Sequence, residues 1–231
     1  MKTTDFLFVI VLLAIFLPFI CIDVVGAWFH ASTLSTPYLM AFVKFFILAS
    51  MGELLGHRLK SGEYLPKDFG LIPHAVVWGV LGVLIAYAMT IFAVGTPRFV
   101  ETLGFKGIVS AMGEGLTAKH LLASFSISVA MNCIFAPLFM TFHKITDMHI
   151  SHYNGSMQSL IRPIPMGKML TEINWNVQWN FVFKKTIPFF WIPAHTITFM
   201  LPPAYRVLMA AALGIALGVL LSVASIMGKK Q

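Results

Sequence analysis

Three stretches of the chain, Ala75 to Pro97, Leu121 to Phe142 and Val207 to Gly228, contain no Asp, Glu, Lys, Arg or His. At a rise of about 1.5 Å per residue, each is long enough to cross a hydrocarbon layer about 30 Å thick. In lipid the backbone must satisfy its own hydrogen bonds, so such runs fold as helices. A fourth run, Phe6 to Ile22, is uncharged and continues past Asp23 to Phe29. Charged residues make up only 11% of the chain and the mean hydropathy is +0.84, values that no water-soluble core requires. The sequence predicts an all-α, polytopic membrane helical bundle.

Two further segments complete a six-segment reading. Tyr38 to His57 is apolar except for Lys44, Glu53 and His57. Ile187 to Leu201 is short and interrupted by Pro188 and Pro193, which predicts a kinked crossing or a re-entrant segment. With the N-terminus inside, six crossings put eleven of the 16 basic residues inside and four outside, with Lys44 in the membrane. That asymmetry favours both termini in the cytoplasm. The net charge of +7 sits at span ends, so the expected partner is the lipid bilayer and not nucleic acid; a homo-oligomer is left open. The 44 residues from His143 to Thr186 are expected to form an interfacial connection, with Trp175, Trp179 and Lys184 in the headgroup layer.

Residues 1 to 27 have some features of a signal peptide, but the length of the apolar part favours a retained anchor helix. Cys21 and Cys133 lie in apolar runs, where cysteine serves as a small hydrophobe.

Polar residues inside apolar spans mark candidate paths. Lys44 and Glu53 are nine positions apart and half a turn out of phase, so they are not partners; Lys44 is expected either to snorkel or to line a path. His57 follows Glu53 one turn later, which allows a carboxylate and imidazole pair. Ser124, Ser128 and Asn132 form one stripe, read as interhelical hydrogen bonding or a polar channel wall. Ala210, Gly214, Gly218 and Ser222 form a smooth strip for close helix contact, and Gly79, Gly82 and Ala86 a weaker one. His143, Asp147, His149 and His152 are read as a solvated loop without metal-ligand spacing. His74 and His120 offer a haem pair only if they face each other. No cofactor and no metal set are read, and no serine, histidine and acid set or phosphate loop argues for an enzyme.

Trp175, Trp191-Ile192-Pro193, Phe199, Pro202-Pro203 and Tyr205-Arg206, followed by a small-residue helix, resemble the C-terminal signature of the Mpv-seventeen and peroxisomal-membrane-protein family. In that pattern Pro193 takes the proline place, His195 or Thr196 a glutamine place, Thr198-Phe199 an asparagine-phenylalanine place and Arg206 the arginine place. Upstream, Gly52-Glu53 with His57, Thr36-Pro37-Tyr38 and Phe135-Ala136-Pro137 also resemble family motifs. The resemblance covers about residues 36 to 225, within a family-like domain of residues 36 to 231, and leaves residues 1 to 35 as an added helix. It departs from the family in the amide positions and in the shorter spacing from proline to arginine.

The resemblance implies a channel or permeability protein for small solutes or ions. Lys44, Glu53, His57, Ser124, Ser128, Asn132, His195 and Thr198 are its path candidates, and Trp175, Trp191, Pro193, Phe199, Pro203 and Arg206 its structural residues. A membrane enzyme or haem or metal binder, and a structural or assembly subunit, are the alternatives. The chain has no Arg-rich, Ser-rich leader, which favours a bacterial cytoplasmic membrane over the mitochondrial inner or peroxisomal membrane.

Overall fold

The computed structural model describes residues 3–228, with side chains described to residue 218 except at residue 20. The described residues contain helices and turns and no strand. Helix α1 (Thr3–Cys21) is followed after Ile22 by α2 (Asp23–Ser35), and the two meet at an angle of 83°. The expected continuous first span is therefore bent: Pro18 cannot donate to the turn before it, and Asp23 begins a new helix. Helices α3 (Pro37–Ser61), α4 (Leu71–Thr102) and α6 (Ala118–His152) are each long and apolar enough to cross a membrane. The bent pair brings the number to four if it counts as one span. Between α4 and α6 lies the short helix α5 (Ile108–Ala111).

Local chemistry sets these limits. Pro37 opens α3, where its missing N–H costs nothing, and Gly62 closes it at φ 84°, donating to the Arg58 carbonyl. Thr117 caps α6 by accepting from the His120 N–H. The helix then runs on to His152, so His143, Asp147 and His149 stand on a helix and not in the expected loop. A 3-10 turn (Met157–Leu160) and α7 (Met166–Glu172) follow.

From Trp175 the chain is helical to Met200, as α8 (Trp175–Val177), a π-helix (Gln178–Trp191) and α9 (Ile192–Met200). The proline-broken segment is thus the second half of a longer rod. Pro188 and Pro193 have no N–H for the carbonyls four residues before them, and the wider winding joins the Ile192 N–H to the Ile187 carbonyl instead. After Leu201, α10 (Pro203–Gly228) begins.

Helix α3 packs between α10 and α4, α4 between α3 and α6, and α6 between α4 and α9; α9 touches α10 and closes a ring. Inside the ring, Phe45, Leu48, Ile85, Met89, Ile127, Met131, Phe199 and Ala211 form the main core. Small residues bring the helices together. A Cβ on Gly82 would lie 2.5 Å from Phe45 Cβ, and one on Gly52 would lie 3.1 Å from Ile215 Cα. On α10, Ala210 is buried and Gly218 faces the Gly52 carbonyl, whereas Gly214 meets nothing within 4 Å. The strip is therefore part contact and part cavity wall, and the Ser222 side chain lies outside the described residues.

The end of the ring where α3 starts is called the upper end, and the end near Ser61 the lower. Helix α1 is tied at the lower end, where the Arg58 guanidinium donates to both Asp5 oxygens at 2.6 and 2.8 Å. Tyr64 donates to Asp5 at 3.2 Å and stacks on Phe8; burial and this contact push its phenol up from its ordinary value. At the upper end α2 meets α3. There Lys44 donates to Thr33 Oγ1 at 2.9 Å and lies 4.5 Å from the centre of the Phe29 ring. Lys44 is buried, so the snorkelling expectation gives way to an ammonium covered by α2.

A cavity with a buried carboxylate and histidine cluster

The lower half of the ring encloses a cavity of about 760 Å³. It begins at Lys60, the Lys67 to Phe69 turn and Ser151, and reaches Phe45, Ile85, Met131 and Ala210 of the core. Its walls come from α3, α4, α6 and α10, and the π-helix adds Gln178, Phe181, Val182 and Thr186. Beside its mouth, two loops meet backbone to backbone. Gly70 and Gly155 both have positive φ, and a Cβ on either would strike the other's backbone.

Near the mouth, three helices bring titratable side chains together. His143 Nε2 is 3.8 Å from Glu53 Oε1 and 3.6 Å from Asp147 Oδ1; His74 Nε2 is 3.8 Å from Asp147 Oδ1. These separations suit ion pairs but exceed hydrogen-bond lengths. Accordingly Glu53 Oε2, His143 Nε2, Asp147 Oδ1 and the Trp78 indole N–H are buried without hydrogen-bond partners. Aromatic rings hold the imidazoles in place. Phe69 stacks on His74 with ring centres 4.6 Å apart, and Trp78 lies 4.3 Å from His143. His74 Nδ1 is 3.1 Å from the Gly70 carbonyl, which can only accept, so Nδ1 carries a proton and Nε2 is the atom turned to Asp147.

The expected pairing of Glu53 with His57 is replaced by Glu53 with His143. His57 lines the cavity but sets its ring edge-on against Phe69. The haem pairing is also corrected. His74 lies beside Asp147, and His120 is at the other end of α6, roughly 40 Å away along the helix.

Deeper in, Asn132 and His195 lie side by side. The Asn132 amide nitrogen is 3.0 Å and its oxygen 3.2 Å from His195 Nδ1, so the pair bonds in either tautomer. Asn132 Nδ2 also donates to the Ser128 carbonyl at 2.8 Å, and Ser128 Oγ donates to the Ile192 carbonyl at 2.7 Å. Trp191 stacks on His195. Asn132 and His195 line the cavity, but Ser124, Ser128, Thr198 and Lys44 do not. Ser128 therefore serves the seam between α6 and α9, Thr198 bonds back to the Ala194 carbonyl, and Ser124 is fully buried. Of the motif residues, Trp191 borders the cavity, Phe199 is in the core, Trp175 and Pro193 are exposed, Pro203 opens α10, and Arg206 ties the turn between α9 and α10.

The sequence reading missed His74, Trp78, His143 and Asp147 as members of one site. His143 and Asp147 carry the signal, being four residues apart and so on one helix face, but it is visible only if α6 extends past Phe142. Comparison with protein-family models, with curated proteins and with solved structures gives no match.

Proposed function

We propose that this protein is a six-crossing membrane permeability protein in which the cavity is the inward-facing half of a path for small solutes or ions. The observation that carries the reading is the cavity itself. It joins a charged cluster near the mouth to a second polar pair, Asn132 and His195, at membrane depth, where unneeded polar groups are costly. On this reading the cavity ends against the apolar core at Phe45, Ile85 and Met131, so the path is closed in this arrangement.

The six crossings of this reading are the bent α1–α2 pair, α3, α4, α6, the rod from Trp175 to Met200, and α10. The lower end, where basic residues concentrate, is the cytoplasmic side of a bacterial membrane on this reading. The resemblance to the Mpv-seventeen and peroxisomal-membrane-protein family supports the same function.

Gly214 lines the cavity and a Cβ there meets nothing within 4 Å, so a larger side chain can enter the space without a backbone clash. Purified protein in liposomes should release small encapsulated solutes, and Gly214→Leu should slow release while thermal stability stays at the parent level. Gly95, on the outer face of α4, is the control position. Liposomes carrying the parent that hold every small solute and ion tested, at neutral and acidic pH, would rule out the permeability reading.

A further inference from the structure

We infer that Glu53, His74 and Asp147 form a binding site for one divalent first-row transition-metal ion, with His143 as a fourth donor. The inference goes beyond the permeability reading and does not require it. One ligand atom from each of the three residues lies within 4.8 Å of the other two. Around a tetrahedral ion with bonds of 2.0–2.2 Å, neighbouring ligand atoms stand roughly 3.4 Å apart, so a modest inward movement completes the shell. His143 Nε2 already stands 3.6 Å from Asp147 and 3.8 Å from Glu53.

Two independent observations point to a ligand. First, the groups stop short of bonding one another. Glu53 Oε2, His143 Nε2 and Asp147 Oδ1 are all buried and, although oppositely charged groups stand 3.6–3.8 Å apart here, none of the three atoms has a hydrogen-bond partner, which costs free energy. A cation placed between them satisfies lone pairs that the side chains, left to themselves, do not. Second, the His74 imidazole is set up as a ligand. Its side chain is nine-tenths buried, its Nδ1–H is held by the Gly70 carbonyl, and its Nε2 faces the carboxylates. A metal-binding imidazole has this second-shell arrangement, in which the remote nitrogen donates to a backbone carbonyl and fixes the tautomer.

The donor set selects the metal class. Two carboxylates and two imidazoles suit Zn²⁺, Co²⁺, Ni²⁺ or Mn²⁺, whereas Ca²⁺ and Mg²⁺ prefer all-oxygen shells. The ligands come from α3, α4 and α6, so the ion would join three helices that otherwise meet here through unsatisfied groups.

The full chain, purified in detergent and stripped with chelator, would be titrated with Zn²⁺ by calorimetry and with Co²⁺ by visible absorption. The expected result is one ion per chain, Co²⁺ bands of a low-symmetry nitrogen and oxygen site, and a higher melting temperature with Zn²⁺. Glu53→Gln and Asp147→Asn keep shape and remove charge; each should weaken Zn²⁺ binding at least about tenfold. Their metal-free melting temperatures check that the fold survives. Exposed His152 is the control, and His152→Ala should leave binding intact. Sub-stoichiometric binding by the parent would overturn the site, as would affinity unchanged in the Glu53→Gln, Asp147→Asn double variant, or binding lost only with His152. Because no flux is read, the metal site and the permeability reading fail separately.

Discussion

The Arg206 guanidinium donates at 3.1 Å to the carbonyl of Phe199, seven residues earlier and on the other side of a turn. In an unbroken helix that carbonyl would accept the N–H of residue 203, but residue 203 is proline and has none. A second bond, from Arg206 Nε at 3.0 Å, satisfies the Leu201 carbonyl, whose helical donor, the Tyr205 N–H, turns to the Pro202 carbonyl instead. One planar fork thus replaces the backbone bond that Pro203 removes and fills another that the turn leaves open.

Arg206→Ala should therefore destabilise the protein by about 2 kcal/mol or more, since it leaves buried carbonyls unpaired. Arg206→Lys keeps the charge but offers a point donor, and should recover only part of the loss. Thermal melting of the three proteins in one detergent measures this. Equal melting temperatures would reduce Arg206 to a lipid contact.

Gly82 and Gly95 lie on the same helix and should respond in opposite ways. Gly82→Ala forces a methyl group to within 2.5 Å of Phe45 Cβ, which is fixed to the α3 backbone. The expected cost is about 1–3 kcal/mol. Gly95 has nothing within 4 Å, so Gly95→Ala gains up to about 1 kcal/mol of helix propensity or changes nothing. A loss of stability at both positions would show that α4 is sensitive to alanine for a reason other than contact with α3.

The Lys44 and Thr33 pair should show an asymmetry. Thr33→Val leaves a buried ammonium without its oxygen partner and should cost about 1–3 kcal/mol. Lys44→Met removes the charge and keeps the shape, and should be neutral or stabilising. The reverse order in melting experiments would mean that the charge is held for another partner.

The fold was readable where the apolar runs are unbroken and unreadable where they are not. Helices α3, α4 and α6 follow from sequences that cannot be satisfied otherwise in lipid. The extension of α6 to His152 was hidden because His143, Lys144 and Asp147 look like the end of a span, yet two of them turn inward to meet Glu53 and His74. Charge alone reads as exposure, while here partners on other helices decide it. The same reasoning concealed the rod from Trp175 to Met200. Lys184 and Lys185 suggest a surface segment that ends before a short, proline-broken crossing, but one helical rod runs through both: the π-helix contains Pro188 and keeps the lysines outside, and Pro193 sits in the first turn of α9. Asn132 was legible as one of three polar residues on a stripe and His195 as a path candidate; that the two would pair across helices was not.

Both chain ends should lie on the same side of the membrane. Asp5 is fixed to Arg58 at the lower end of α3, and α10 starts at the upper end, where Tyr205 approaches His30. Reporter fusions before Met1 and after Gln231 should both be active in the cytoplasm. Opposite locations would remove one crossing from the proposed six.

The meeting of Gly70 with Gly155 makes the cavity's rim asymmetric in what it can do. On that side, two backbones touch with no side chain between them to rotate or yield, so the loop after α3 and the loop after α6 must travel together. The wall that the π-helix supplies is made of side chains, Gln178, Phe181, Val182 and Thr186, which can change rotamer where the two glycines cannot.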